Sequence, residues 1–340
     1  MSTLKEKNQN HIFTITTELD PPKSASSAIT EEQAQKVAPY VDAVNIADCP
    51  MAKMRMSPIA LSCIIQQKYQ VESIFHLTCR DRNVIGLQAE LLGAAALGVH
   101  NILTLTGDPP KIGDHPNAKG VFEIDSTGLI QIASCLNSGH DIEGHDLGAA
   151  TDFYIGTTGN PGTDDLDAEI KRLEGKKKAG AQFIQTQPIY DIKQAEDFLA
   201  CAKDLDLPIL FGIVPLKSFK MANYLNDKVP GITIPKTVLS QMETGGRETG
   251  LAISKEIVTA LREIHAAGAH LMPVNDIDAL PDLVGDEGPA ENQDTPLVLS
   301  CHARKRGCEE MNPHFFTAPF YFAFIWFRVQ GSGGGFAAFF

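Results

Sequence analysis

The stretch ESIFHLTCRDRNVIGLQAELLGAAALGVHNILTLTGD, residues 72–108, contains one full unit of the architecture. It opens on a β-rich run, ESIFHLTC. Asn83 then stands where a helix N-cap belongs, NVIGLQAELLGAAALG has helical character, and Gly98 is placed to stop the helix. A second β-rich run, NILTLTGD, follows at once. Strand, helix and strand in that order describe a crossover between parallel neighbours.

The same unit recurs on both sides. Comparable β-rich runs are IFTITTEL (12–19), DAVNIADC (42–49), FYIGTTGN (153–160), FIQTQPIY (183–190), PILFGIVP (208–215) and GAHLMPVN (268–275). Helix-like stretches such as SPIALSCIIQQKY and DLDAEIKRLEGKKKAG lie between them, the latter with Asp164 or Asp165 as its N-cap and Gly180 as its stop. Eight runs alternating with helices predict a closed (β/α)8 TIM barrel over residues 12–285. No G-x-G-x-x-G follows the first run, which argues against a dinucleotide-binding doubly wound sheet.

In such a barrel, chemistry gathers where the strands end. Several runs turn polar there: Glu18 in the first, His76, Thr78 and Arg80 in the third, Thr104, Thr106 and Asp108 in the fourth. Thr157 and Asn160 do so in the fifth, and Gln185 and Gln187 in the sixth. Alternation within the third and fourth runs predicts that their polar positions face the lumen. Buried polar groups cost free energy unless paired, so a cluster at one end points to a polar ligand pocket. Glu18 and Asp108 are two carboxylates that can flank one ligand, and each is followed closely by two prolines that stiffen the loop. Gly107 is expected to let a flat ligand approach the backbone. Within KRLEGKKKAG (171–180), Lys176 is the candidate to reach an anionic cofactor tail.

Composition narrows the partners. The chain of 340 residues carries a net charge of −13, which disfavours binding nucleic acid through phosphates. Seven cysteines without a C-x-x-C pair predict reduced thiols, a cytoplasmic location and no metal site. No apolar run reaches the ~18 residues of a membrane span. Residues 1–11 read as a polar N-terminal arm, and 286–340 as a solvated linker and aromatic-rich tail outside the barrel.

The ordered set T-E-L-D-P-P-K, H-L-T-C-R-D-R-N, L-T-G-D-P-P, K-K-A-G-A-Q-F-I-Q-T-Q-P-I-Y-D, T-G-G-R-E-T-G and H-L-M-P-V resembles the methylenetetrahydrofolate reductase family, bacterial-type reductase module, from about Phe13 to about Leu283. The resemblance implies reduction of 5,10-methylenetetrahydrofolate to 5-methyltetrahydrofolate, feeding methionine synthesis and one-carbon metabolism. It implies FAD in the barrel and NADH or NADPH as electron donor. By the same resemblance Glu18 is the general acid and Asp108 lies near flavin and pterin, both touching substrate with Gln187. His76, Thr78, Thr106, Gly107, Asp108, Asn160, Glu169, Arg172 and Lys176 fall at cofactor-contacting positions. Thr106, Asn160 and Arg172 depart from the residues common there, leaving fewer cations for a pyrophosphate. FMN or a weakly held flavin is therefore the variant to test. A homo-oligomer is implied, with an electron-transfer or methyltransferase partner in some relatives. The competing functions are a pterin-binding methyltransferase barrel and a non-catalytic accessory subunit of a reductase complex.

Overall fold

The computed structural model describes residues 3–229, 231–274 and 276–285, so the linker and tail assigned to 286–340 lie outside the described residues. Helix α1 (Thr3–Gln9) precedes strand β1 (Thr14–Leu19). Next come α2 (Ala28–Val37), β2 (Ala43–Ile46), α3 (Pro58–Tyr69), β3 (Glu72–Thr78), α4 (Val84–Ala96) and β4 (Asn101–Leu105). They are followed by α5 (Ser126–Asn137), β5 (Tyr154–Gly159), α6 (Leu166–Ala179), β6 (Phe183–Pro188), α7 (Ile192–Ala202) and β7 (Ile209–Ile213). Three helices, α8 (Phe219–Lys228), α9 (Lys236–Thr244) and α10 (Arg247–Glu263), separate β7 from β8 (Gly268–Leu271), and α11 (Leu280–Val284) comes last. The strands pair in parallel in chain order and β8 returns to β1, which closes the barrel.

Every strand falls inside a run read from the sequence, and the helix punctuation holds. Asn83 accepts the Gly86 amide proton at 2.9 Å at the start of α4. Of the two aspartates before α6, Asp165 is the cap, accepting from the Ala168 amide at 2.9 Å. Gly180 ends that helix at φ 119°, a conformation open to glycine at little cost.

The strand register decides which residues face inward. His76 lies beside Leu103 and Thr78 beside Leu105. The lumen face of β4 is therefore Leu103, Leu105 and, beyond it, Gly107. Thr104 and Thr106 face the helix layer instead, contrary to the alternation expected from their polarity. Their hydroxyls are spent on backbone groups: Thr104 donates to the Gly156 carbonyl at 2.9 Å, and Thr106 accepts from the Ser126 amide at 3.2 Å. The same holds on β5, where Thr158 rather than Thr157 faces inward, beside Gln185.

The lower lumen is dry. Leu103, Tyr154, Phe183, Leu210, Ala43 and Ile74 fill it, with Tyr154 stacked on Phe183 at 4.6 Å between centroids. Phe183 has room because Gly156 faces it: a Cβ there would lie 2.2 Å from the ring.

The N-terminal segment is not a free polar arm. Leu4 of α1 is fully buried in this lumen cluster. The helix start is capped from a distance, because the Glu72 carboxylate accepts from the Thr3 and Leu4 amides at 2.7 and 3.1 Å. Asn8 donates to the Tyr154 hydroxyl at 3.0 Å and accepts from Thr14 at 3.1 Å. Lys7 pairs with the buried Asp42 at 2.6 Å. A single leucine in a polar run carries no periodic signal; its burial depends on a barrel formed by residues far along the chain.

Leu4→Ala should therefore lower unfolding free energy by about 2–4 kcal/mol, the range for a buried leucine leaving a cavity. Urea denaturation followed by circular dichroism measures this. A loss below about 0.5 kcal/mol, typical of surface sites, would show that α1 does not plug the barrel.

Candidate active site

Above the dry core, five strands contribute one layer of polar side chains that spans the lumen. Asn45 and Gln185 bond reciprocally, the Asn45 amide nitrogen donating to Gln185 at 2.6 Å and the Gln185 nitrogen donating back at 3.2 Å. Gln185 also donates to the Thr16 hydroxyl at 3.2 Å, and Thr16 meets Nδ1 of His270 at 2.9 Å. The second proton of the Asn45 amide points to Nε2 of His76 at 3.0 Å. His76 therefore accepts at Nε2. All five residues are buried.

Both imidazoles are held neutral. Burial pushes His76 down to about 4, opposed weakly by the Asp48 carboxylate. His270 falls to about 3 through burial, with His76 adding to the effect. A charge on either ring would be stranded in a site without a counter-charge close enough to compensate.

This layer is the floor of a cavity of about 300 Å³ at the C-terminal ends of the strands. Glu18, Asp48 and Asp108 supply its carboxylates, Leu103, Leu105 and Met272 much of its apolar wall, and Thr158 and Gln187 further polar edges. The three acids are in different states. Asp48 is paired through one oxygen: its Oδ2 accepts from the Thr78 amide and hydroxyl, both at 2.9 Å, and from Arg82 at 2.9 Å. Asp108, just beyond β4, is exposed at the mouth. Glu18 accepts no hydrogen bond from any other described residue. Its side chain keeps an opening to the cavity but is walled in by the barrel. Burial, with the nearby Asp20 charge adding to it, lifts its carboxyl from 4.5 to about 7. An acid that is protonated near neutrality and faces a ligand cavity is placed to donate a proton.

Eight of the residues singled out from the sequence meet here: Glu18, His76, Thr78, Arg80, Gly107, Asp108, Gln185 and Gln187. Gly107 also has a part in packing. Its φ is 90°, and a Cβ would sit 2.9 Å from Thr78 Cβ, so glycine lets the end of β4 pack on β3. Asn45, Asp48, His270 and Thr16 were missed. The lumen position of Asn45 and His270 follows only from their register with Glu18 and Thr16.

Thr104, Thr106, Thr157, Asn160, Glu169, Arg172 and Lys176 do not line the cavity. Thr106 caps α5 from outside the strand. Lys176 is buried behind β5, donating to Thr157 at 2.8 Å, and burial together with the Arg172 charge lowers it to about 8. Glu169 is committed to Arg172 at 2.5–2.7 Å and to the Asn160 amide at 2.8 Å. These residues form a brace between α6 and β5. Among the cavity's lining residues Arg80 is the one cation, and its guanidinium lies on Asp81 at 2.8–3.0 Å. Of the positions that the resemblance marks as cofactor-contacting, Thr106, Asn160, Glu169, Arg172 and Lys176 thus lie outside the cavity lining. FAD and riboflavin should accordingly bind within about tenfold of each other, a difference under 1.4 kcal/mol, measured by fluorescence quenching. A hundredfold preference for FAD would show a phosphate site.

A closed (β/α)8 barrel with a protonatable carboxyl in a polar pocket at the strand ends defines the class. Within it, the chain belongs to the methylenetetrahydrofolate reductase family, whose model matches residues 3–287. A methylenetetrahydrofolate reductase of Schizosaccharomyces pombe is 28% identical over 69% of this chain and 39% of its own length. The 5,10-methylenetetrahydrofolate reductase of Pectobacterium carotovorum is 23% identical over 62% of this chain and 68% of its length. The chain thus spans well under half of the eukaryotic relatives it matches. A Clostridium thermocellum protein described as binding two copies of 5-methyl-5,6,7,8-tetrahydrofolic acid shares the fold, with TM-score 0.61 at 19% identity over 84% of this chain and 98% of that one. No helix among the described residues is long and apolar enough to cross a membrane.

The Glu18 shift has a consequence for stability. Its folded value, about 7, exceeds the ordinary 4.5, so between those values the folded state holds more protons than the unfolded state. Stability from this group is full below about pH 4.5 and falls as pH rises through 7. Glu18→Gln should raise the urea midpoint above wild type near pH 8 and leave it close to wild type near pH 4.5. Equal midpoints at both pH values would mean that Glu18 is well solvated.

Proposed function

We propose that this chain reduces 5,10-methylenetetrahydrofolate to 5-methyltetrahydrofolate, with NADH or NADPH supplying the electrons. The observation that carries the reading is Glu18, a carboxyl lifted to about 7 in the cavity at the strand ends. Family membership supports it, as do relatives whose names specify NADH in one case and NADPH in another. The folate ligand of the Clostridium thermocellum neighbour agrees with a pterin in the cavity.

The chemistry asks for what the cavity holds. Protonation of N10 breaks its bond to the bridging methylene and leaves a cationic iminium at N5. Hydride addition to that carbon then gives the methyl group. Glu18 donates the proton. The carboxylates of Asp48 and Asp108 favour the cation, and the neutral floor adds no opposing charge. His76 and His270, kept uncharged, offer hydrogen bonds without repelling it. Gln187, exposed at the rim, is positioned to contact the substrate. No step is assigned to a flavin tail, for which the expected residues lie elsewhere.

Glu18→Gln should reduce methylenetetrahydrofolate turnover by ~10²–10⁴-fold, the usual loss on removing a general acid. In the wild type, kcat/KM should fall as pH rises through about 7, because the protonated carboxyl is the active form. Anaerobic assays with NADH and NADPH test both points. A flat profile together with an active Glu18→Gln variant would remove Glu18 from the reaction.

A further inference from the structure

A second concavity lies at the opposite end of the barrel. It is a cleft of about 810 Å³, bounded by α1, the segment entering β1, the C-terminal ends of α7 and α10, and the start of β7. Its apolar surface comes from Phe13, Leu199, Leu207 and Ile209. The charges differ in sign from those of the upper cavity. Arg262 and Lys203 line it against a single carboxylate, Asp206, in a chain whose net charge is −13.

Arg262 is the informative residue. Its guanidinium lies over the Phe13 ring, with Cζ 4.3 Å from the centroid, a cation–π contact. The in-plane N–H groups donate to no described residue, and Nη2 is buried without a hydrogen-bond partner. Unpaired donors on a buried charged group are costly. A cation in the last turn of α10 also offsets the helix dipole. That role alone would place the N–H groups on terminal carbonyls, and none is engaged among the described residues. Lys203 likewise makes no ion pair with a described residue.

We propose that this cleft binds a small organic anion with a flat apolar body, of the aromatic carboxylate class. The carboxylate pairs edge-on with Arg262, the geometry guanidinium favours, with Lys203 as the second cation. The ring packs on Leu199 and Leu207. The Glu18 cavity, with three carboxylates, would repel the same ligand, so the two ends of the barrel select opposite charge.

Benzoate is the probe, and saturation-transfer NMR on the full chain is the measurement. Benzoate should bind at millimolar concentration, equally to wild type and to Glu18→Gln. The neutral isostere benzamide should bind at least tenfold more weakly, and Arg262→Gln should weaken benzoate by a similar factor. Lys203→Gln should weaken it to a smaller extent. Inorganic phosphate at equal concentration should not displace it. Equal binding of benzoate and benzamide to the wild-type chain would overturn the proposal, a result that stands even if Arg262→Gln does not fold. Undiminished binding to folded Arg262→Gln, loss of binding in Glu18→Gln, full displacement by phosphate, or no benzoate binding would overturn it equally.

Discussion

The reciprocal amide pair between Asn45 and Gln185 is the interaction on which both halves of the barrel depend. It joins β2 to β6 across the lumen, and each amide spends both of its protons within the layer. Below it, the lumen can be packed with Leu, Ile and aromatic rings. Above it, polar groups face a ligand cavity. Replacing either amide with an apolar residue would leave the other with buried, unanswered groups, each costing about 1–3 kcal/mol. The pair also decides the chemistry of its neighbours. By donating to His76 Nε2 it keeps that ring in the neutral, accepting form.

The three cavity acids show how partners, rather than residue type, assign roles. Asp48 receives donors from Thr78 and Arg82 and so ties the end of β2 to β3. Glu18 has no such donors and sits where water is scarce, so it keeps its proton to about pH 7. Two carboxyl groups of one cavity thereby stand in unlike surroundings, one paired by donors and one left to the cavity.

The outer face of β5 shows the opposite use of charge. Lys176, Arg172 and Glu169 resemble a cofactor-tail set when read along the chain. In three dimensions they satisfy one another, the strand's carbonyls and Thr157. Their burial braces α6 against the sheet, and the cavity is left with little positive charge. The cleft at the other end is lined by Arg262, whose buried Nη2 has no hydrogen-bond partner, and by Lys203.

Local sequence determined the eight strands, the cap at Asn83 and the stop at Gly180, and the end of the barrel at which polar residues gather. These depend on neighbours a few positions apart, and periodicity records them. Glu18, His76, Thr78, Asp108 and Gln187 were legible for the same reason, as polar groups at strand ends. Only the tertiary structure decided the rest. Alternation shows that Thr104 and Leu105 point opposite ways, but which one faces the lumen is set by the register with β3. The burial of Leu4, the capping of α1 by Glu72 and the placement of Lys176 behind the wall each join residues distant along the chain, 69 positions for the Thr3–Glu72 bond and 19 for the Lys176–Thr157 bond. A pKa near 7 for Glu18 is likewise a property of what surrounds the carboxyl after closure, because desolvation exists only once all eight strands have met.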